Sequence, residues 1–170
     1  MRSGKRHWVN WMVLFAAVLV GCQSSQGASG DARHVAHPEG YRSWTHVKSM
    51  VILRGHEHFE MFGGFHHVYA NDVALAALKD GSTFAEGAVL VFDLRRAIVE
   101  GNAVTEGPRQ VVGVMEKDPE RFAATKGWGF EDFKVRGNAV DRAVTDARTQ
   151  CLSCHQTQKD ADYVYSRYTK

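Results

Sequence analysis

Three cysteines in a chain of 170 residues are too few for a disulfide framework, because they close at most one bridge and leave one thiol over. No apolar run reaches the about 20 residues that a membrane-spanning helix needs. No run of Lys or Arg exceeds two residues and the formal net charge is only +2, so the composition offers no electrostatic footprint for nucleic acid. No internal repeat is visible. A hydrophobic fraction of 44% and a charged fraction of 24% exclude disorder, collagen and coiled coil as whole-chain descriptions. The length fits one domain. Each of the three cysteines therefore needs its own reason.

The first lies in a targeting segment. Arg2, Lys5 and Arg6 precede an apolar stretch from Trp11 to Val20, which is too short to span a bilayer. That stretch ends in Leu19-Val20-Gly21-Cys22, which resembles a bacterial lipobox. The resemblance implies cleavage before Cys22, a lipid on its thiol, and a protein held at a membrane surface without spanning it. An ordinary signal peptide that ends near a cysteine is the alternative. Gln23 is not the Asp that retains lipoproteins at the inner membrane, so the expected location is the periplasmic side of the outer membrane. Residues 1–21 are thus read as signal, 22–40 as a Gly/Ser-rich flexible tether and 41–170 as the folded domain. Three of the 21 basic residues and none of the 19 acidic ones precede Cys22, which leaves 18 basic against 19 acidic and a charge of −1.

Within the domain, Trp44, Val47 and Val51 fall at helical spacing and predict a short helix over 41–53. Residues 54–64 read as a His- and Gly-containing loop, and Phe65 to Ala70 as a strand. Asn71 and Gly81 bracket a helix as N-cap and C-terminal stop. Strands are predicted over 88–94, 109–117 and 127–133, with a turn-rich connection through Gly101, Asn102, Gly107 and Pro108. Residues 118–122 read as a turn and 146–158 as a helix. The expected fold is α+β: a mainly antiparallel sheet with a few short helices, the last of them carrying the remaining two cysteines.

Those cysteines form Cys151-Leu152-Ser153-Cys154-His155, the C-x-x-C-H pattern of haem c attachment. Two thiols one helical turn apart can bond the two vinyl-derived carbons of one porphyrin edge, and the following imidazole can reach the iron as proximal ligand. Three other readings compete. A redox C-x-x-C opens a long helix near the start of its domain, whereas this one lies near the end of the chain. Zinc needs two further ligands at suitable spacing. A structural disulfide suits an oxidising compartment. Only 15 residues follow His155 and no Met follows Met115, so an axial Met downstream of the motif is excluded.

In order along the chain stand Tyr41-Arg42-Ser43-Trp44, HVYAN (67–71), FAEGAVLV (84–91), VMEKD (114–118), GWGFEDF (127–133), CLSCH and Asp162-Tyr163-Val164-Tyr165. Together they resemble the cytochrome P-460 family, which includes the cytochromes c′-beta, over roughly residues 41–168. The resemblance implies a largely antiparallel sheet, a homodimer and one haem c held by Cys151 and Cys154, with His155 on the iron. Catalytic members cross-link a lysine to the porphyrin after the Gly-hydrophobic strand; here that position is Phe92. Hydroxylamine oxidation is therefore disfavoured, and the c′-beta branch favoured.

On that branch the protein binds nitric oxide or carbon monoxide at an open distal position under an aromatic cap, with Phe92 and Phe65 as the expected rings. A cap without hydrogen-bond donors favours NO over O₂. Oxidation of hydroxylamine or another small molecule, and electron transfer to an unidentified redox partner, are the alternatives. Catalytic members also use a distal acidic residue, which no position of this sequence was matched to. His56, His58, His66 and His67 form a cluster with metal-binding side chains. Met50, Met61 and Met115 are candidate axial ligands, and Arg148 a candidate propionate partner. For each of these, ordinary packing or solvation is the competing role.

Overall fold

A computed structural model describes residues 34–137 and 139–169. Signal residues 1–21, Cys22 and the tether as far as residue 33 lie outside the described residues. The architecture is a six-stranded antiparallel sheet in the order β1-β2-β3-β4-β5-β6, so every strand pairs with its neighbours in sequence. The strands are β1 (Thr45–Ile52), β2 (Gly64–Ala70), β3 (Val89–Glu100), β4 (Ala103–Lys117), β5 (Trp128–Arg136) and β6 (Ala139–Arg142). Helices α1 (Phe59–Phe62) and α2 (Asp72–Asp80) flank β2. The C-terminal helical segment runs from a wide turn, Arg148–Leu152, through α3 (Ser153–His155) into a tighter stretch, Gln156–Ala161. The α+β expectation holds.

Two differences from the sequence reading have local causes. The helix expected over 41–53 is a short turn, Tyr41–Ser43, followed by β1. Its register slips between His46 and Lys48, where Val47 is bulged and buried. The bulge breaks the period of two, so the apolar positions fall three and four apart and imitate a helix. The tether expected to reach residue 40 is packed from residue 34 onward. Val35 is 2% exposed, Arg121 and Arg142 donate to the carbonyls of His34 and Val35, and any side chain at Gly129 would collide with Val35 and Phe122.

Elsewhere the local signals act as read. The Asn71 side chain accepts from Ala74 N at 2.9 Å and from Val89 N at 3.0 Å, so it caps α2 and ties it to β3. Gly81 ends the helix at φ 69°. Gly101 and Asn102, with φ 55° and 62°, make a tight hairpin turn of the type whose twist matches the strands. The strands on either side are longer than predicted, because bulges near Arg95 absorb Gly107 and Pro108 within β4. β6 was not anticipated: its four residues are all exposed and show no alternation.

The sheet separates two apolar clusters. One, on the side of α2 and the C-terminal segment, includes Ala74, Ala77, Leu90, Trp128, Phe130 and Leu152. The other, beneath residues 35–44, includes Val35, Tyr41, Val91, Val112, Val114 and Phe133. On this second face Asp93 is completely buried. Arg109 donates to it through Nε at 2.7 Å and Nη2 at 2.8 Å, the Tyr41 hydroxyl at 2.8 Å and Arg42 at 3.2 Å. Burial alone would raise the Asp93 pKa, but these donors outweigh it and hold the carboxyl below its ordinary value.

This network predicts an acid limb of stability. The contribution is fully present above the ordinary carboxyl value of 3.8 and is lost as pH falls through the lower folded value. Asp93→Asn should cost about 3–5 kcal/mol at neutral pH, because Arg109 is left without its anion, and should flatten the acid limb. Urea unfolding between pH 3 and 7 measures both.

Candidate haem site

Register across the sheet sets out the site. Val68, Phe92, Gly113 and Asp132 are successive partners across β2, β3, β4 and β5. They lie on the face that carries the C-terminal segment, beside the row Ala70, Leu90, Met115 and Phe130. A Cβ at Gly113 would stand 3.0 Å from Asp132 Oδ1 and 3.3 Å from Phe92 Cδ1, so these side chains would have to give by a few tenths of an ångström. The missing side chain lets Phe92 and Asp132 approach each other over the strand. Among the described residues no helix is long and apolar enough to cross a membrane.

Above this face the C-terminal segment presents the motif. Leu152 is buried in the first cluster and Cys151 packs against it; Cys151 is half-buried, Cys154 exposed, and neither is in a disulfide. Burial, followed by the charges of Asp132 and Glu131, pushes the Cys151 thiol up to about 12.

His155 lies between the rings of Phe130 at 5.0 Å and Tyr165 at 5.2 Å. Its Nδ1 is 2.7 Å from the Tyr163 carbonyl, which can only accept, so the proton is on Nδ1 and Nε2 keeps its lone pair. Burial, only partly offset by that bond, lowers the imidazole pKa and keeps the ring neutral. A neutral ring with Nδ1–H pinned to a carbonyl is the second-sphere arrangement of an axial histidine. Unbridged thiols one turn apart, the oriented imidazole and the glycine-floored face together fit a haem.

The other candidates divide. The Phe92 ring lies 4.8 Å from His66 and 6.4 Å from Phe62, both edge-on. His66 Nε2 donates to the Phe62 carbonyl, and burial lowers its pKa. Phe65 does not join this group. It differs from Val68 by an odd number of positions, so the period of two puts it on the opposite face, where it stacks on His67 at 5.8 Å. The second ring beside Phe92 is Phe62, which stands in what read as a loop.

The same alternation separates His66 from His67, while His56 and His58 are exposed in the loop before α1. Met50 and Met61 are 49% and 71% exposed, and Met115 packs against the first cluster. Arg148 lines an open groove with Lys126 and Asp146. The side chain that sequence reasoning missed is Asp132. Burial, then the neighbouring Glu131 charge, raises its pKa. Its signal was the strand alternation in GWGFEDF, which puts Phe130 and Asp132 on the face that carries the C-terminal segment and Glu131 on the other.

This chemistry defines a haem protein. The sequence model of the family described as Cytochrome P460 matches residues 38–166, and the chain belongs to that family. Membership carries a haem cofactor and makes the protein an iron-binding cytochrome. No curated protein matches the chain.

Gly113→Ala tests the floor of the site. Forcing a methyl between Phe92 and Asp132 should cost about 1–3 kcal/mol of stability, and the haem absorption of the variant should differ from wild type. Thermal unfolding and the optical spectrum are the measurements.

Proposed function

We propose that the protein is an exported, lipid-anchored cytochrome with a single covalently attached haem c, whose open distal position takes a small diatomic ligand, nitric oxide or carbon monoxide. Cys151 and Cys154 bond the porphyrin edge, His155 is the proximal ligand, and Cys22 carries the lipid that keeps the homodimer at the periplasmic side of the outer membrane. The haem supplies a Lewis-acidic, redox-active iron when bound. The chain's own residues do the rest. His155 is kept neutral by burial and oriented by the Tyr163 carbonyl, and the phenyl rings of Phe92 and Phe62 restrict what approaches the distal side.

The observation that carries this reading is Phe92. By the resemblance it stands where catalytic members carry the cross-linking lysine, and its ring packs against His66 and Phe62. No amine is available there to bond the macrocycle, which supports the c′-beta branch. The purified ferrous protein should show a high-spin haem spectrum that changes on adding NO or CO, without the red-shifted bands of a cross-linked haem. A sharp low-spin spectrum indifferent to both gases would favour an electron carrier instead. Phe92→Ala should accelerate CO entry in flash photolysis, and an unchanged rate would remove Phe92 from the ligand path.

One observation favours a second reading. The cap was expected to lack donors, but Asp132 stands against Phe92 across Gly113, and its raised pKa retains the proton to higher pH than an ordinary Asp. A protonated carboxyl can donate a hydrogen bond or a proton, which suits oxidation of hydroxylamine or a related small molecule. If that reading is right, steady-state assays with an electron acceptor should show turnover, and Asp132→Asn should reduce it by about 10²–10⁴-fold. Absence of turnover in wild type leaves gas binding as the function.

A further inference from the structure

The segment Asp162-Tyr163-Val164-Tyr165 follows the motif, and its conformation is unusual. Asp162 and Tyr163 both occupy the left-handed region, with φ 48° and 65°. Residues with a Cβ rarely go there singly, and two in succession need an external hold. The Asp162 carboxylate supplies it. Lys117 Nζ donates to Oδ1 at 2.8 Å and to Oδ2 at 3.0 Å, Phe84 N donates to Oδ2 at 3.0 Å, and Trp128 Nε1 donates to Oδ1 at 3.3 Å. The Lys117 and Asp162 side chains are each only 11% exposed.

These donors come from the end of β4, the start of β5 and the loop after α2. Asp162 therefore fastens the end of the chain to the rim of the sheet. Tyr163 N donates to the Gln158 carbonyl at 2.8 Å, which closes the turn back on the helical segment. The Tyr163 carbonyl then meets His155 Nδ1. Shifting Asp162 would move the acceptor that orients the imidazole.

We infer that Asp162 is a positioning residue for the haem's proximal histidine: by fixing the left-handed turn it aims the Tyr163 carbonyl at His155 Nδ1, and so sets the orientation and basicity of the ring. Asp162 touches neither haem nor ligand and acts through one backbone carbonyl. The inference rests on His155 being the axial ligand. A firm Nδ1–H···O bond raises electron density at Nε2, which strengthens its bond to iron and stabilises the oxidised metal.

Asp162→Asn in the haem-loaded protein is the test. Asn tolerates the left-handed region as Asp does and keeps one acceptor oxygen, for either Phe84 N or Trp128 Nε1, but it removes the charge facing Lys117. The readouts are the iron–histidine stretching vibration of the ferrous protein and the haem reduction potential. The stretch should fall to lower frequency and the potential should rise. Lys117→Gln, which leaves the Asp162 backbone preference intact, should shift both in the same direction and serves if Asp162→Asn fails to fold. Glu106→Gln removes the charge facing Arg95 and His67 and leaves the Asp162 and Tyr163 contacts in place, so it should shift neither.

Wild-type values for both quantities in folded Asp162→Asn, even with a lower melting temperature, would reduce Asp162 to a structural clamp and overturn the inference. An equal shift in Glu106→Gln would overturn it too, because general loosening would then explain the effect. A six-coordinate ferrous wild type would abolish the five-coordinate stretch and sink the open-site reading of the function. The potential would still decide the role of Asp162.

Discussion

Asp93 is buried on one face of the sheet and held by Arg109, Tyr41 and Arg42, and this carboxylate decides which way β3 faces. Its neighbour Phe92 must then point to the other side. A slip of one residue would strand a charge in the apolar cluster under α2 and lift Phe92 off the haem face. The buried ion network thus does more than stabilise. It fixes the register that brings Phe92, Gly113 and Asp132 into line, and that line is the floor of the site. The segment before β1 contributes Tyr41 and Arg42 to the network, which ties that segment to the sheet.

The opposite wall is built from little regular structure. The C-terminal segment is short, and its order comes from points of attachment: Leu152 in the apolar cluster, Asp162 on Lys117, and His155 on the Tyr163 carbonyl. Such a segment suits a prosthetic group bonded to its own residues. Two covalent links and an axial ligand would complete its anchoring, so haem binding and local folding would reinforce each other.

Much of this was legible in the sequence because the signals are local. The α2 caps, the Gly101-Asn102 turn and the C-x-x-C-H spacing each depend on a few adjacent residues. The shared face of Leu90, Phe92 and Leu94 was legible too, from the strand period of two. Where reading failed, a non-local constraint had intervened. A bulge at Val47 disguised β1 as a helix. Phe65 was matched to Phe92 by residue type, but pairing between strands put it on the other face, and Phe62 reaches the site only through its contacts with Phe92 and His66. Alternation could put Asp132 on its face but could not single it out, because what sets it apart is its partner on β4, and that partner is a glycine. The exposed strand β6 carried no apolar pattern to read.

The central claim is that Cys151 and Cys154 hold a haem covalently against this face, with His155 beneath the iron. Intact-mass spectrometry of the purified protein under denaturing conditions tests it most directly, after expression in a host that matures c-type cytochromes. The account predicts a polypeptide heavier by the mass of one haem, and loss of that increment when Cys151 and Cys154 are both replaced by serine. A bare polypeptide mass, with haem released on unfolding or never acquired, would contradict it.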